Sequence, residues 1–143
     1  MRLYLDASAL IYVAEGSPER RDFVLAWIDR VEAEPDGVLI TSRLSRSECR
    51  VKHLRSQNQP ALRRIDTILA AGNLRLADVS AEVIEKAAEV RAQSRLKTPD
   101  AIHVATALLE EATAFVTGDK DFVTPMLRED YAVEALCLSS IMT

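Results

Sequence analysis

The sequence predicts a single α/β domain, residues 1–143, built around a parallel β-sheet. Short apolar runs recur along the chain: Leu3-Tyr4-Leu5 before Asp6, Val38-Leu39-Ile40-Thr41 after Gly37, and Ala114 to Thr117 before Gly118. A strand covered on both faces shows such a run rather than alternation. The stretches between them place apolar residues at helical spacing. A chain of 143 residues is long enough for one core and needs no second domain.

Composition removes several classes of function. With 48% apolar and 28% charged residues the chain is ordinary for a soluble protein. No run approaches the roughly 20 apolar residues of a membrane span. Asp6 interrupts the N-terminal apolar run and no small-residue cleavage site follows, so a cytoplasmic location is expected. Cys49 and Cys137 are too far apart for a C-x-x-C motif and read as reduced structural thiols. With only His53 and His103 beside them, a zinc site is not expected. The net charge of -4 opposes indiscriminate nucleic-acid binding but permits a local basic patch.

In chain order, the first strand ends at Asp6 and a short helix runs from Ser8 to Ala14. The carboxyl ends of strands in open α/β sheets are where ligands bind, so Asp6 is a candidate for chemistry. The plainer alternative is a helix cap. After Gly16-Ser17-Pro18, the residues Phe23, Trp27, Ile28 and Val31 mark an amphipathic helix ending near Gly37. A second strand, Val38 to Thr41, leads into a helix from Ser42 or Arg43 to about Gln57. Leu44, Glu48 and Val51 share one stripe of that helix, which turns Glu48 inward. A carboxylate there needs a partner, either an ion pair or a cation. Arg43, Arg46, Arg50 and His53 form another face, joined by Lys52, Arg55, Arg63 and Arg64. From Arg43 to Arg64 the only acid is Glu48, so contact with phosphates is expected of Arg43, Arg46 and Arg50.

Gln59-Pro60 opens a helix with Leu62, Ile65 and Leu69 inside, stopped at Gly72. A third strand follows from Leu74 to Val79. Ser80 caps a helix that packs through Val83, Ile84, Ala87 and Val90. Thr98-Pro99-Asp100 reads as cap, first-turn proline and first-turn acid of a nearly all-apolar helix. Its short connection to the fourth strand, Ala114 to Thr117, makes helix and strand antiparallel. Asp100 therefore starts at the same sheet edge as Asp6, although an acid there also complements the helix dipole. His103 reads as a packed core histidine. Gly118 is expected to allow a sharp turn, with Asp119 and Asp121 just beyond the strand. After a short helical piece, the last strand lies within Tyr131 to Leu138, with Glu134 marking it as an edge.

Asp6, Glu48, Asp100 and Asp119 are thus expected at one end of the sheet. Carboxylates brought together raise one another's pKa unless a cation neutralises them. Oxygen ligands without paired Cys or His select Mg²⁺ or Mn²⁺. Such an ion characteristically works on phosphates, and the expected chemistry is phosphodiester hydrolysis.

The motifs LDASALIY, SECR, TPDAIHVATAL and FVTGDKDF resemble, in order and across nearly the whole chain, those of the PIN domain. Size and the absence of added domains are similar to the VapC-type toxins of toxin-antitoxin pairs. The resemblance implies a three-layer α/β/α sandwich with a central parallel sheet, and an Mg²⁺-dependent endoribonuclease acting on RNA. It further implies a homodimer and a cognate antitoxin that occludes the acidic groove. The family's four acids map to Asp6, Glu48, Asp100 and Asp119, with Asp6, Asp100 and Asp119 as the metal set. Its polar supports map to Ser8 and Thr117, and Asp121 is an adjacent acid able to share or assume the fourth role.

A stand-alone RNA-processing nuclease would carry the same acids. A PIN-like domain that only binds RNA or a partner is the non-catalytic alternative, and the intact acid set argues against it. A dehalogenase-type phosphotransferase would need Asp where this chain has Ser8, and a receiver domain would need clustered N-terminal acids.

Overall fold

The computed structural model describes residues 1–118, 127, 129 and 131–137. In chain order the elements are β1 (Arg2–Leu5), α1 (Ala7–Glu15), α2 (Pro18–Glu32), β2 (Val38–Ser42), α3 (Leu44–Arg55), α4 (Gln59–Leu69), β3 (Leu74–Ala77), α5 (Ala81–Ala92), α6 (Thr98–Leu109), β4 (Ala114–Thr117) and β5 (Glu134–Cys137). The five strands form one sheet in the order β3-β2-β1-β4-β5. Every pairing is parallel. The strand order reverses direction at β1, which places that strand's carboxyl end at the topological switch point.

The alternation of side chains along each strand builds two cores and hence three layers. Leu3, Leu5, Leu39, Ala114, Val116 and Leu136 face α1, α2 and α4. Tyr4, Ile40 and Phe115 face α5 and α6 instead. Because both faces are covered, strands of only four or five residues carry almost no polar side chains before their carboxyl ends. At the centre of the second core, Tyr4 and Phe115 stack with ring centroids 4.9 Å apart, both fully buried.

Local chemistry explains most boundaries. Side-chain oxygens of Asp6, Ser17, Asn58 and Ser80 accept the first free amides of α1, α2, α4 and α5. Thr98 was expected to cap α6, but it is the first helical residue. Lys97 holds the cap position without a side-chain bond. Between β2 and α3, Thr41 donates from Oγ1 to the carbonyl of Leu5 at 2.6 Å, leaving Ser45 to donate to Thr41 at 2.7 Å. The start of α3 is thereby tied to the end of β1.

Two helix faces differ from the periodicity reading. In α3 the buried residues are Ser45, Cys49 and His53, while Val51 is exposed. The helix packs on α1 and α4 through Ser45, Cys49 and His53, which turns Val51 outward. Ile84 of α5 is likewise exposed, because Val83, Ala87 and Val90 suffice to cover α6. The last strand lies at the sheet edge as expected, and β3 ends two residues before Val79. Cys49 and Cys137 are buried and free. Among the described residues no helix is long and apolar enough to cross a membrane. The helical piece expected between Asp121 and Tyr131 falls largely outside the described residues.

Replacing Phe115 by Ala empties the middle of the Tyr4 layer, and a loss of about 3–5 kcal/mol is expected. Denaturant unfolding would measure it. A loss below about 1 kcal/mol would mean that the stack is not close-packed.

Candidate active site

The parallel register sets the first part of the site. Leu5 pairs with Val116, so the next residues, Asp6 and Thr117, emerge side by side at the sheet edge. The Asp6 amide donates to the Val116 carbonyl at 3.3 Å. The Asp6 carboxyl group is 3% exposed and its bonds come from neutral donors. Oδ1 accepts from Ser8 Oγ at 2.6 Å and from the Ala9 amide at 3.0 Å. Oδ2 accepts from Thr117 Oγ1 at 2.5 Å. Of the carboxylate's roughly four lone-pair directions, one on Oδ2 is left over. Asp6 is therefore both the cap of α1 and a strand-end acid, because one oxygen serves each purpose.

Ser8 is fixed in turn by the Gly118 amide, which donates to its Oγ at 2.7 Å. Gly118 was expected to supply a sharp turn. No glycine here has positive φ, and the reason for Gly118 is space. A Cβ at this position would collide with the Tyr12 ring and hydroxyl.

The second acid arrives from α3. Glu48 is partly exposed, and its Oε1 lies 2.6 Å from Nε2 of His103 on α6. The ring's Nδ1 lies 2.7 Å from the Tyr4 hydroxyl. His103 is buried, as a core histidine should be, but both ring nitrogens are engaged. Sequence reasoning missed this link between β1, α6 and α3. Its only available signal was that His103 follows Asp100 by one helical turn. Asp100 occupies the first turn of α6, half-buried, at the helix end that faces the carboxyl edge. Asp119 and Asp121 lie outside the described residues.

Electrostatics at this edge are governed first by burial. Burial pushes the Asp6 carboxyl above the usual carboxylate range, against the lowering effect of its bonds from Ser8, Thr117 and Ala9. Burial likewise raises the Tyr4 phenol, with Asp6 and Glu48 adding to the effect. The Cys49 thiol is pushed up to about 12, chiefly by burial and further by Glu48, Asp6 and Glu15. It is thus inert at neutral pH.

The arginines are less free than their sequence suggests. Arg43 pairs with Asp78, and Arg46 and Arg50 share Asp66 at 3.5 and 2.9 Å. His53 does not belong to their face, being buried against Glu15 at 2.8 Å. These acids come from α1, α4 and the end of β3, which a segment-by-segment reading does not bring together.

The donor chemistry suits a hard divalent cation. Asp6 is a buried carboxylate with no Lys or Arg partner among the described residues, and Glu48 and Asp100 also offer oxygen. Among the described residues no three such side chains lie close enough to enclose an ion.

A buried acid at the carboxyl end of the switch-point strand, with further acids on helices reaching that edge, defines an acid-site α/β/α domain. The chain belongs to the PIN domain family, whose model matches residues 3–124. Among solved structures it is similar to VapBC2 from Rickettsia felis bound to a promoter DNA fragment, at 17% identity and TM-score 0.74, covering 94% of this chain and 98% of that one. VapBC-1 from nontypeable Haemophilus influenzae is similar at 16% identity and TM-score 0.71, covering 97% and 99%. Mycobacterium tuberculosis VapC20, described as a sarcin-ricin loop cleaving toxin, is similar at 20% identity and TM-score 0.65, covering 84% and 92%. At these identities the likeness is one of fold. No curated protein matches the chain by sequence.

The raised Asp6 value has a definite sign for stability. The native state holds this proton more tightly than the unfolded chain, so the contribution is full below roughly pH 4 and is lost as pH rises through the native value. Asn cannot ionise and escapes that loss. In chelator, the unfolding free energy of Asp6→Asn relative to wild type should therefore increase from pH 4 towards neutrality. Parallel pH profiles of the two proteins would refute it.

Proposed function

We propose that this protein is a Mg²⁺-dependent endoribonuclease, with Mn²⁺ able to substitute, and the toxin of a toxin-antitoxin pair. The observation that carries this reading is the buried Asp6 carboxylate, placed at the sheet's switch point and bonded only by neutral donors. Among the described residues no Lys or Arg competes with a cation for that group. Membership of the PIN family and the likeness to VapBC2 and VapBC-1 support it, and they are the basis for proposing an antitoxin partner and a homodimer.

In this reading Asp6, Asp100 and Asp119 would hold the ion, with Asp121 able to share or assume the part of Asp119. A bound Mg²⁺ supplies Lewis acidity towards the phosphoryl oxygen and the attacking water. Ser8 and Thr117 fix the Asp6 oxygens. Glu48, partly exposed, orients that water and accepts its proton while the bond from phosphorus to the leaving ribose oxygen breaks. Arg43, Arg46 and Arg50 contact backbone phosphates. Their ion pairs with Asp78 and Asp66 are exposed or partly exposed, hence weak, and a phosphate can displace them.

The direct test is cleavage of a labelled RNA. Asp6→Asn and Asp100→Asn should each lower Mg²⁺-supported cleavage roughly 100-fold or more without unfolding the domain. Zn²⁺ should not substitute productively. Activity that survives both substitutions, or that resists a chelator, refutes the assignment.

Binding of the ion to the folded state alone predicts a second result. Mg²⁺ or Mn²⁺ should raise the melting temperature of wild type more than that of Asp6→Asn. Equal shifts would place the ion elsewhere.

The arginines give a separate measurement. If Arg46 and Arg50 meet phosphates, changing both to Gln should flatten the dependence of log K on log[salt] by roughly 0.7 per lost contact with single-stranded RNA. An unchanged slope, measured alongside the oligomeric state by size exclusion, would leave them as partners of Asp66 alone.

A further inference from the structure

We propose that His103 is a positioning residue, locked by Tyr4 as the Nε2-protonated neutral imidazole, whose ring N–H fixes the Glu48 carboxylate at the sheet edge. This inference rests on the reading of Glu48 as a working acid of the site.

Given a neutral ring, the tautomer follows from counting donors and acceptors. An ionised Glu48 only accepts, so the 2.6 Å contact requires the proton on Nε2. In a neutral ring Nδ1 is then an acceptor, and the 2.7 Å contact requires the Tyr4 hydroxyl to donate to it. Tyr4 is suited to that role. It is fully buried, stacked on Phe115 at 4.9 Å and edge-on to the His103 ring at 5.8 Å. The chain Tyr4–His103–Glu48 therefore has one direction, running from the core to the edge.

The arrangement matters because Glu48 stands on a helix whose buried residues are Ser45, Cys49 and His53. Packing of α3 does not by itself choose a rotamer for a partly exposed Glu. Its bond to His103 on α6 does, by engaging Oε1. A neutral donor also holds Glu48 without cancelling its charge, which a Lys or Arg at position 103 would do.

Two substitutions separate positioning from packing. His103→Gln carries its amide near the place of Nε2 and keeps a donor for Glu48. His103→Asn reaches only as far as Nδ1, so it can still partner Tyr4 but not Glu48. The expected result is that kcat for RNA cleavage falls roughly 10- to 100-fold in His103→Asn with KM within about twofold, and that His103→Gln recovers most of the loss. Equal losses in both variants, tracking their melting temperatures, would reduce His103 to a core residue and overturn the proposal. An unaffected kcat in both would do the same.

The wild-type protein supplies a measurement that needs neither RNA nor a stable variant. In ¹⁵N-histidine spectra at neutral pH, His103 should show a protonated Nε2 and an unprotonated Nδ1, and Glu48→Gln should shift that pattern. The opposite tautomer or a doubly protonated ring overturns the proposal. Failure of the underlying reading has a different signature: Glu48→Gln would leave kcat unchanged while the tautomer pattern stands, which removes Glu48 from the chemistry and with it the function assigned to His103.

Discussion

The constraint on which the rest depends is the burial of the Asp6 carboxylate at the end of the central strand. An ionised group moved out of water costs several kcal/mol unless its surroundings compensate. The compensation is assembled from three donors on two separate stretches: the Ser8 hydroxyl and Ala9 amide of α1, and the Thr117 hydroxyl of β4. Each requires the others to be in place. Thr117 reaches Oδ2 because β1 and β4 run parallel with Leu5 opposite Val116. Ser8 points at Oδ1 because the Gly118 amide holds its oxygen from the other side. Position 118 permits this because glycine has no Cβ to collide with the Tyr12 ring. Sheet register, helix start and loop entry are thus coupled through a single side chain.

The same strand organises the second acid from its opposite character. Tyr4 is a core aromatic, two residues before Asp6, and its only polar atom lies at the edge of the Phe115 stack. A buried hydroxyl has to find a partner. It finds His103, and through it the structure gains a rigid connection from a fully packed layer to the half-buried Glu48. Tyr4 and Phe115 are fully buried where they stack, so the position set there is carried outwards to Glu48 by hydrogen bonds.

What was legible in the sequence follows from which interactions are local. The strands were legible because a parallel sheet covered on both faces leaves unbroken apolar runs, and the runs end where Asp6, Thr41 and Thr117 stand. Asp6 was legible both as a cap and as a strand-end acid, and it is both. The placement of Asp100 followed from the short link between α6 and β4. The failures share one cause. Whether Val51 or Cys49 faces inward depends on how α3 rolls against α1 and α4, and periodicity over three residues cannot fix that angle. The partners of Arg43, Arg46, Arg50 and His53 are acids 16 to 38 positions away in sequence, supplied by elements whose relative placement only the fold determines. His103 looked like core because it is core; its second role depends on Glu48, 55 residues earlier.

A further regularity ties the site to its proposed chemistry. The arginines of α3 are paired with acids on the surface, whereas Asp6 and Glu48 take their bonds from hydroxyls, an amide and an imidazole. Had selection favoured stability alone, a buried carboxylate would be better served by an arginine, which supplies both charge and paired donors. Such a partner would also satisfy the carboxylate's charge and remove its attraction for a metal ion. Neutral donors do the opposite: they fix each oxygen in space and leave the negative charge uncompensated. The raised Asp6 value is the visible cost of that choice. A shell that orients the carboxylate without supplying positive charge is the arrangement that the proposed metal-dependent chemistry requires.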